Sequence, residues 1–177
     1  MSDLTPHRAP IDTLRDDHAM ILRALAQLET VGLGAESGAA VDGVAFGWLR
    51  DFFSGFVDRC HHAKEEHHLF PALQRHGIPT EGGPLGVMLG EHEEGRAFLA
   101  AMAAGHLDPR AETIQRYSRL LRAHLDKENY ILFPLAEHVL SGDEQRDLAR
   151  AFDALELRVA GPGAHELILK RLAELER

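Results

Sequence analysis

Apolar residues recur along this chain three and four positions apart, which is the spacing of one face of a helix packed in a bundle. In the first predicted helix, which we expect to extend from residue 10 to the glycines at 32 and 34, this stripe includes Leu14, Ile21 and Leu25. Connections rich in glycine separate it from the later helices. These are predicted at residues 44–76, 85–104, 110–140, 141–159 and 164–176. The pattern therefore indicates an all-α protein.

Two of the stripes contain a histidine where the spacing calls for an apolar residue. His18 lies between Leu14 and Ile21 in the first helix, and His92 follows Met88 in the third. A buried imidazole needs partners for its ring nitrogens. A single histidine of this kind is most often hydrogen-bonded within the core, but two in matching places favour a shared role.

A motif of the form His-x-x-x-Glu with a Leu-Phe-Pro tail occurs twice. His61 and Glu65 begin it in the second helix, and His124 and Glu128 begin it in the fourth. Residues four apart lie on one face of a helix, with Cβ atoms about 5–6 Å apart. Each copy therefore presents an imidazole beside a carboxylate. One copy is weak evidence for a metal site, whereas two copies with matched tails are hard to obtain by chance.

The register of the first copy is ambiguous, because His62 and Glu66 have the same spacing as His61 and Glu65. In both copies a Phe follows the Glu by five positions, and Phe70 stands in that relation to Glu65. We therefore favour His61 and Glu65 as ligands and give the neighbouring pair a supporting role or that of occasional extra ligands. The alternative register stays open.

The repeat divides the chain into two related halves that together build a site for two metal ions. An up-down four-helix bundle brings the histidines and glutamates of both halves to one point in its core. Imidazole and carboxylate suit iron, manganese or zinc, and a carboxylate can bridge two metals about 3.5–4 Å apart. We expect each half to supply two histidines to one ion, with both glutamates bridging. The six predicted ligands are His18, His61, Glu65, His92, His124 and Glu128.

The domain organisation follows from this site. The bundle is expected to occupy residues 1–140, and residues 141–177 are expected to form a C-terminal helical extension packed on it. Residues 141–144 read as a capping box at the start of the fifth helix. The last two helices carry no histidine–carboxylate pair, so we interpret them as an extra packing layer or as the surface of a homo-oligomer.

Composition narrows the class of partners. Asp and Glu (28) exceed Lys and Arg (19), giving a formal charge of −9, which argues against nucleic acid and against an anionic membrane. The single cysteine, Cys60, excludes an internal disulfide and a thiolate metal cluster. We see no secretory signal and no apolar stretch long enough to span a bilayer, so we expect a cytoplasmic protein.

The order His, His-x-x-x-Glu, His, His-x-x-x-Glu resembles the hemerythrin-like, or HHE cation-binding, domain family of bacterial type. The surrounding residues 61–71, 82–93 and 124–134 fit the same pattern, and the resemblance covers roughly residues 11–140. It implies an up-down four-helix bundle that holds two iron ions in a non-haem diiron centre bridged by two carboxylates. Zinc and manganese remain alternatives for the metal.

The chain departs from the respiratory oxygen carriers of that family. They have a further histidine four residues after the third-helix ligand, where this chain has Arg96, and their last carboxylate is an aspartate five residues after its histidine. Here Glu128 follows His124 by four. With four histidines instead of five, we expect the two irons to be more alike and more open. This argues against simple reversible oxygen carriage.

Three functional hypotheses follow. The leading one is a diiron protein that binds dioxygen, another small diatomic molecule or peroxide, and serves oxygen or redox sensing or iron handling. A second is a protein that binds or buffers divalent metals without oxygen chemistry. A third is a peroxide-reactive diiron enzyme, catalase-like or an oxidase, although the pattern favours a binding protein over an enzyme.

Overall fold

The computed structural model describes residues 8–104 and 111–177, and in these ranges the chain forms six helices and no strand. The predicted all-α fold class is therefore confirmed. Helix α2 continues through Gly43–Phe52, Phe53–His62, Glu65–Leu69 and Phe70–Arg75, and α4 continues through Ala111–Lys127, Glu128–Leu132 and Phe133–Val139. The other helices are α1 (Pro10–Glu36), α3 (Pro84–Ala104), α5 (Gly142–Val159) and α6 (Ala164–Leu175). The predicted break at 105–109 and residue 110 lie outside the described residues.

The helices that carry the repeated motif contain π-helical turns, in which an N–H bonds to the carbonyl five residues back. The N–H of Phe70 donates to the carbonyl of Glu65, and that of Phe133 donates to the carbonyl of Glu128. The proline after each Phe then falls in the first turn of the next α-helical segment, where its missing N–H is tolerated. The helix therefore continues past each proline.

Two apolar clusters fill the bundle, one on each side of the histidines. In α1, Leu14 belongs to the cluster on one side and Ile21 to the cluster on the other, with His18 between them. Burial of a side chain of this size stabilises the fold by roughly 1.5–3 kcal/mol. The polar layer is thus held between two dry regions of the core, which exclude water from it.

The C-terminal helices pack against α1 and α2. Leu155 of α5 and Leu172 of α6 are buried in the same apolar cluster as Ile21, and Glu176 forms a two-pronged ion pair with Arg23 of α1. Ser141 caps α5 with the predicted capping box. In the described ranges no helix is long and apolar enough to cross a membrane.

The one cysteine lies deep in the bundle. Cys60 has no exposed surface and belongs to the cluster that also contains Ile21. Burial raises the pKa of its thiol to about 12. The sulfur is therefore a protonated core group, directly before His61 in the chain.

Candidate metal centre

The structure brings all six predicted ligands together among α1, α2, α3 and α4, and adds His62 to them. Two groups of buried side chains offer nitrogen or oxygen atoms that lie within 4.8 Å of one another. The two groups share Glu65. The first cluster is His18, His61, Glu65 and Glu128, and the second cluster is His62, Glu65, His92 and His124.

Each stripe histidine faces the glutamate of the other half of the repeat. His18 Nε2 lies 3.2 Å from an oxygen of Glu128, and His92 Nε2 lies 3.5 Å from an oxygen of Glu65. Glu128 also approaches the second cluster, with its other oxygen 3.1 Å from His124 Nε2. The two glutamates therefore lie between the histidine pairs, which is where we expected bridging groups.

The phenylalanine of each Leu-Phe-Pro tail lies against a stripe histidine of the other half. The rings of Phe133 and His18 stack with centroids 5.1 Å apart, and those of Phe70 and His92 stack at 5.9 Å. These contacts restrict the plane of each imidazole. The repeated tail thus serves the site as well as the helix backbone.

The outer nitrogens of the motif histidines are held by acidic residues that directly precede the stripe histidines. His61 Nδ1 lies 3.2 Å from Asp17, and His124 Nδ1 lies 2.9 Å from Glu91. A carboxylate only accepts, so each Nδ1 donates its N–H outward, and in the neutral ring Nε2 then has a lone pair for the centre. Partners of this kind orient the histidines of metal sites.

The stripe histidines are oriented by the residues that directly follow the two glutamates. His18 Nδ1 lies 3.0 Å from the side-chain oxygen of Asn129, and His92 Nδ1 lies 2.7 Å from Glu66. Glu66 is thus an outer partner, whereas Glu65 is fully buried at the centre. Sequence reasoning missed most of these partners, although their matching positions in the two halves were a usable signal.

His62, which the sequence left open as a supporting residue or an occasional extra ligand, lies in the second cluster. Its ring stacks on His92 with centroids 3.8 Å apart, and within the described part of the chain neither of its nitrogens has a hydrogen-bond partner. The equivalent position in the second copy is Leu125. The second cluster therefore contains three histidines and the first contains two.

Burial and mutual repulsion disfavour two negative charges at the centre. Burial and the charge of Glu128 raise the pKa of Glu65 well above its usual range. Burial also disfavours a charged Glu128, but His124 and His18 outweigh it and hold the pKa of Glu128 well below its usual range. A cation between the glutamates would remove this conflict.

The imidazoles differ in their preference for a proton. Burial lowers the pKa of His61 to about 4. Burial and the charge of His92 hold the pKa of His62 well below its usual range. Burial also lowers the pKa of His124, but the charge and hydrogen bond of Glu128 together with the hydrogen bond of Glu91 outweigh burial and raise this pKa to about 9. The centre thus contains neutral imidazoles, which are the form that binds metal, and a place where positive charge is stabilised.

The residues present fit a metal ion. Atoms of His18, His61, Glu65 and Glu128 that face the centre have no hydrogen-bond partner among residues 8–104 and 111–177. A buried polar atom without a partner costs about 1–3 kcal/mol, and native proteins contain few of them. Metal ions would satisfy these atoms, and a set of imidazoles and carboxylates without thiolates suits iron, manganese or zinc.

A helical bundle that aims imidazole nitrogens and shared carboxylates at its core belongs to the class of metal-binding bundle proteins. The chain belongs to the hemerythrin family: the hemerythrin HHE cation binding domain matches residues 9–136. This confirms the resemblance inferred from the sequence and identifies the chain as a cation-binding domain. Helices α5 and α6 lie outside the matched residues.

Curated relatives of the chain match a similar share of its length. The uncharacterized protein Rv1995 of Mycobacterium tuberculosis and the uncharacterized protein Mb2018 of Mycobacterium bovis are each 28% identical to this chain over 132 residues. The match covers 69% of this chain and 51% of each relative, so the chain spans about half the length of the curated relatives that it matches. No solved structure matches the chain.

Proposed function

We propose that this chain is a non-haem diiron protein that binds dioxygen or a related small oxidant at the second cluster. The proposal rests on two adjacent sets of ligands that share Glu65, because a shared carboxylate is typical of paired metal ions. His18 and His61 would hold one iron, and His62, His92 and His124 would hold the other. Glu65 and Glu128 would bridge them.

A small cavity beside the second cluster is the observation that carries the oxidant part of the proposal. Its volume is about 10 Å³, and its walls include all three histidines of that cluster. This is close to the volume that one water molecule needs. The space beside these histidines therefore limits a ligand to one or two heavy atoms, the size class to which dioxygen and peroxide belong.

The other cavity walls are suited to a small neutral ligand. Leu99, Leu121 and Tyr117 form the apolar part of the lining, and burial raises the pKa of Tyr117, which keeps its phenol uncharged. Arg96 is the most exposed of the charged residues in the lining, and Asp58 binds its guanidinium at 2.8 Å. The apolar walls disfavour ions and bulk water.

The metal and the chain would have separate roles. Bound iron would supply open coordination positions and the electrons that an oxidant takes up. The chain orients four of the histidines through their outer partners, keeps His61 and His62 neutral, and restricts access to ligands of small size.

The first test is elemental analysis of protein purified without added metal, followed by anaerobic reduction and exposure to oxygen. We expect about two irons per chain and a charge-transfer band in the near-ultraviolet or visible after exposure. Zinc or manganese in place of iron would move the function to metal handling and overturn the proposal. An iron-loaded sample without any optical change would also overturn it.

Two variants control for adventitious iron. His92→Ala removes a nitrogen of the second cluster, and we expect it to lose the oxygen-dependent band. His138→Ala removes an exposed histidine outside both clusters, and we expect it to match the unaltered protein. Equal loss of the band in both variants would contradict the assignment of the site.

A further inference from the structure

A group of charged side chains joins the C-terminal helices to the first cluster. Asp17 lies at its centre, and its Oδ2 is 3.2 Å from His61 Nδ1 and 3.0 Å from Lys64 Nζ. Glu156 of α5 accepts from the same ammonium at 2.6 Å. Asp17 and Lys64 are fully buried, so the contact between them is shielded from water, whereas Glu156 is partly exposed.

His165 of α6 completes the group from the other side. Its Nε2 lies 3.0 Å from Asp17 Oδ1 and 3.3 Å from Glu156 Oε2. These are ion-pair contacts, since the ring N–H is not aligned with either oxygen as in a hydrogen bond. The ring of Phe56 meets the imidazole edge-to-face at 5.6 Å and so restricts its orientation.

The group is not a third metal site. Asp17, Glu156 and His165 have ligand atoms close enough to suit a cation. The ammonium of Lys64 already lies within 3.0 Å of both carboxylates. A protein cation therefore occupies the position that a metal ion would need, and the carboxylates are available to hold side chains instead.

We propose that His165 and Glu156 are positioning residues for the metal ion of the first cluster, an inference that rests on the proposed function. His165 holds one oxygen of Asp17, and Glu156 holds Lys64, which binds the other oxygen together with His61. Asp17 is thereby fixed from both sides, and it fixes Nδ1 of His61. Nε2 of His61 is then directed at the centre.

The contacts of His165 and Glu156 with Asp17 and Lys64 serve one half of the centre. In the other half Glu91 holds His124 Nδ1 and is paired with Lys127, whose side chain is 36% exposed. His165 and Glu156 lie outside residues 9–136, which the family domain matches. The C-terminal helices thus add residues that fix the orientation of a ligand in a site built by the bundle.

The test is the release of iron from the loaded protein to a chelator. In His165→Gln and Glu156→Gln we expect one of the two irons to leave about 10-fold faster, the lower end of the effect of outer partners, because both residues act through Asp17. The rate for the other iron should not change. Glu91→Gln, which alters the partner of His124, should accelerate the release of that other iron.

The matched control is Glu166→Gln, which changes an exposed carboxylate next to His165 and should release iron at the unaltered rates. If the unaltered chain binds no metal, the proposed function fails. If it binds two irons and both positioning variants release them at unaltered rates, only this inference fails.

A spectroscopic measurement separates positioning from general stability. In the cobalt-loaded protein the ring N–H of His61 should give a paramagnetically shifted proton resonance, and His165→Gln should move it while leaving that of His124 in place. A lower unfolding temperature without a change in this resonance would overturn the inference, because the C-terminal helices would then only stabilise the fold.

Discussion

Lys64 and Lys127 occupy equivalent places in the two halves of the repeat, but their surroundings differ. Lys64 is fully buried between Asp17 and Glu156, whereas the side chain of Lys127 is 36% exposed beside Glu91. The half that contains Lys64 is covered by the C-terminal helices, and the half that contains Lys127 lies beside the small cavity. One repeated pattern has therefore produced a covered half and an open half.

The difference indicates a division of labour between the two clusters. The first cluster has two histidines and a rigid outer network, which suits an ion that stays in place. The second has three histidines and the cavity, which suits an ion that meets a ligand. Burial of charged groups is costly unless each is paired, so the covered half needed its additional partners from α5 and α6.

The largest effect is expected where the two halves are joined. Glu65 belongs to both clusters, so Glu65→Gln should remove the iron of both halves and leave close to none per chain after desalting, measured by elemental analysis. Glu66→Gln changes only an outer partner of His92 and should retain most of the iron. A Glu65→Gln protein that keeps one firmly bound iron would contradict the shared role.

An intermediate effect is expected when the second cluster is reduced to two histidines, the number that the first cluster has. His62→Leu places in the first copy the residue that the second copy has at Leu125. In a chelator titration we expect one iron to bind at least about 100-fold more weakly, because the loss of a ligand costs no less than the loss of an outer partner. His67→Leu, an exposed neighbour, is the control, and equal affinities in both variants would remove His62 from the ligand set.

The smallest effect is a pH dependence confined to the covered half. Asp17 and Glu156 raise the pKa of His165 to about 9, with Lys64 as the neighbouring cation. A raised folded-state pKa stabilises the fold fully below the unfolded value of about 6.5, and this contribution declines as the pH rises towards 9. The difference in urea midpoint between the unaltered protein and His165→Gln should therefore shrink from pH 6 to pH 9.5. A constant difference would show that this ion pair does not contribute.

The centre was largely predictable from the sequence because its ligands obey helical periodicity. His18 and His92 stand in apolar stripes. The repeated motif places His61 and His124 one helical turn before a glutamate. The structure gathers these residues as expected, and their role as metal ligands stays a prediction. Fold class and family are confirmed.

The features that the sequence did not reveal depend on departures from that periodicity or on distant contacts. His62 reaches the centre beside His61 because Phe53–His62 is wound as a π-helix, which turns less per residue than an α-helix and brings neighbours towards one face. The contact of Asp17 with His165 joins residues far apart in the chain. No local pattern encodes a contact of that kind.

The buried thiol of Cys60 can report transient opening of the helical bundle. Its raised pKa keeps it protonated, and with no exposed surface it can react with an alkylating reagent only during excursions in which the core around His61 separates. The rate of alkylation then measures how often the bundle opens locally. Because a ligand that binds only the closed form makes such excursions rarer in proportion to its saturation, alkylation kinetics would register occupancy of the centre even for a metal without colour.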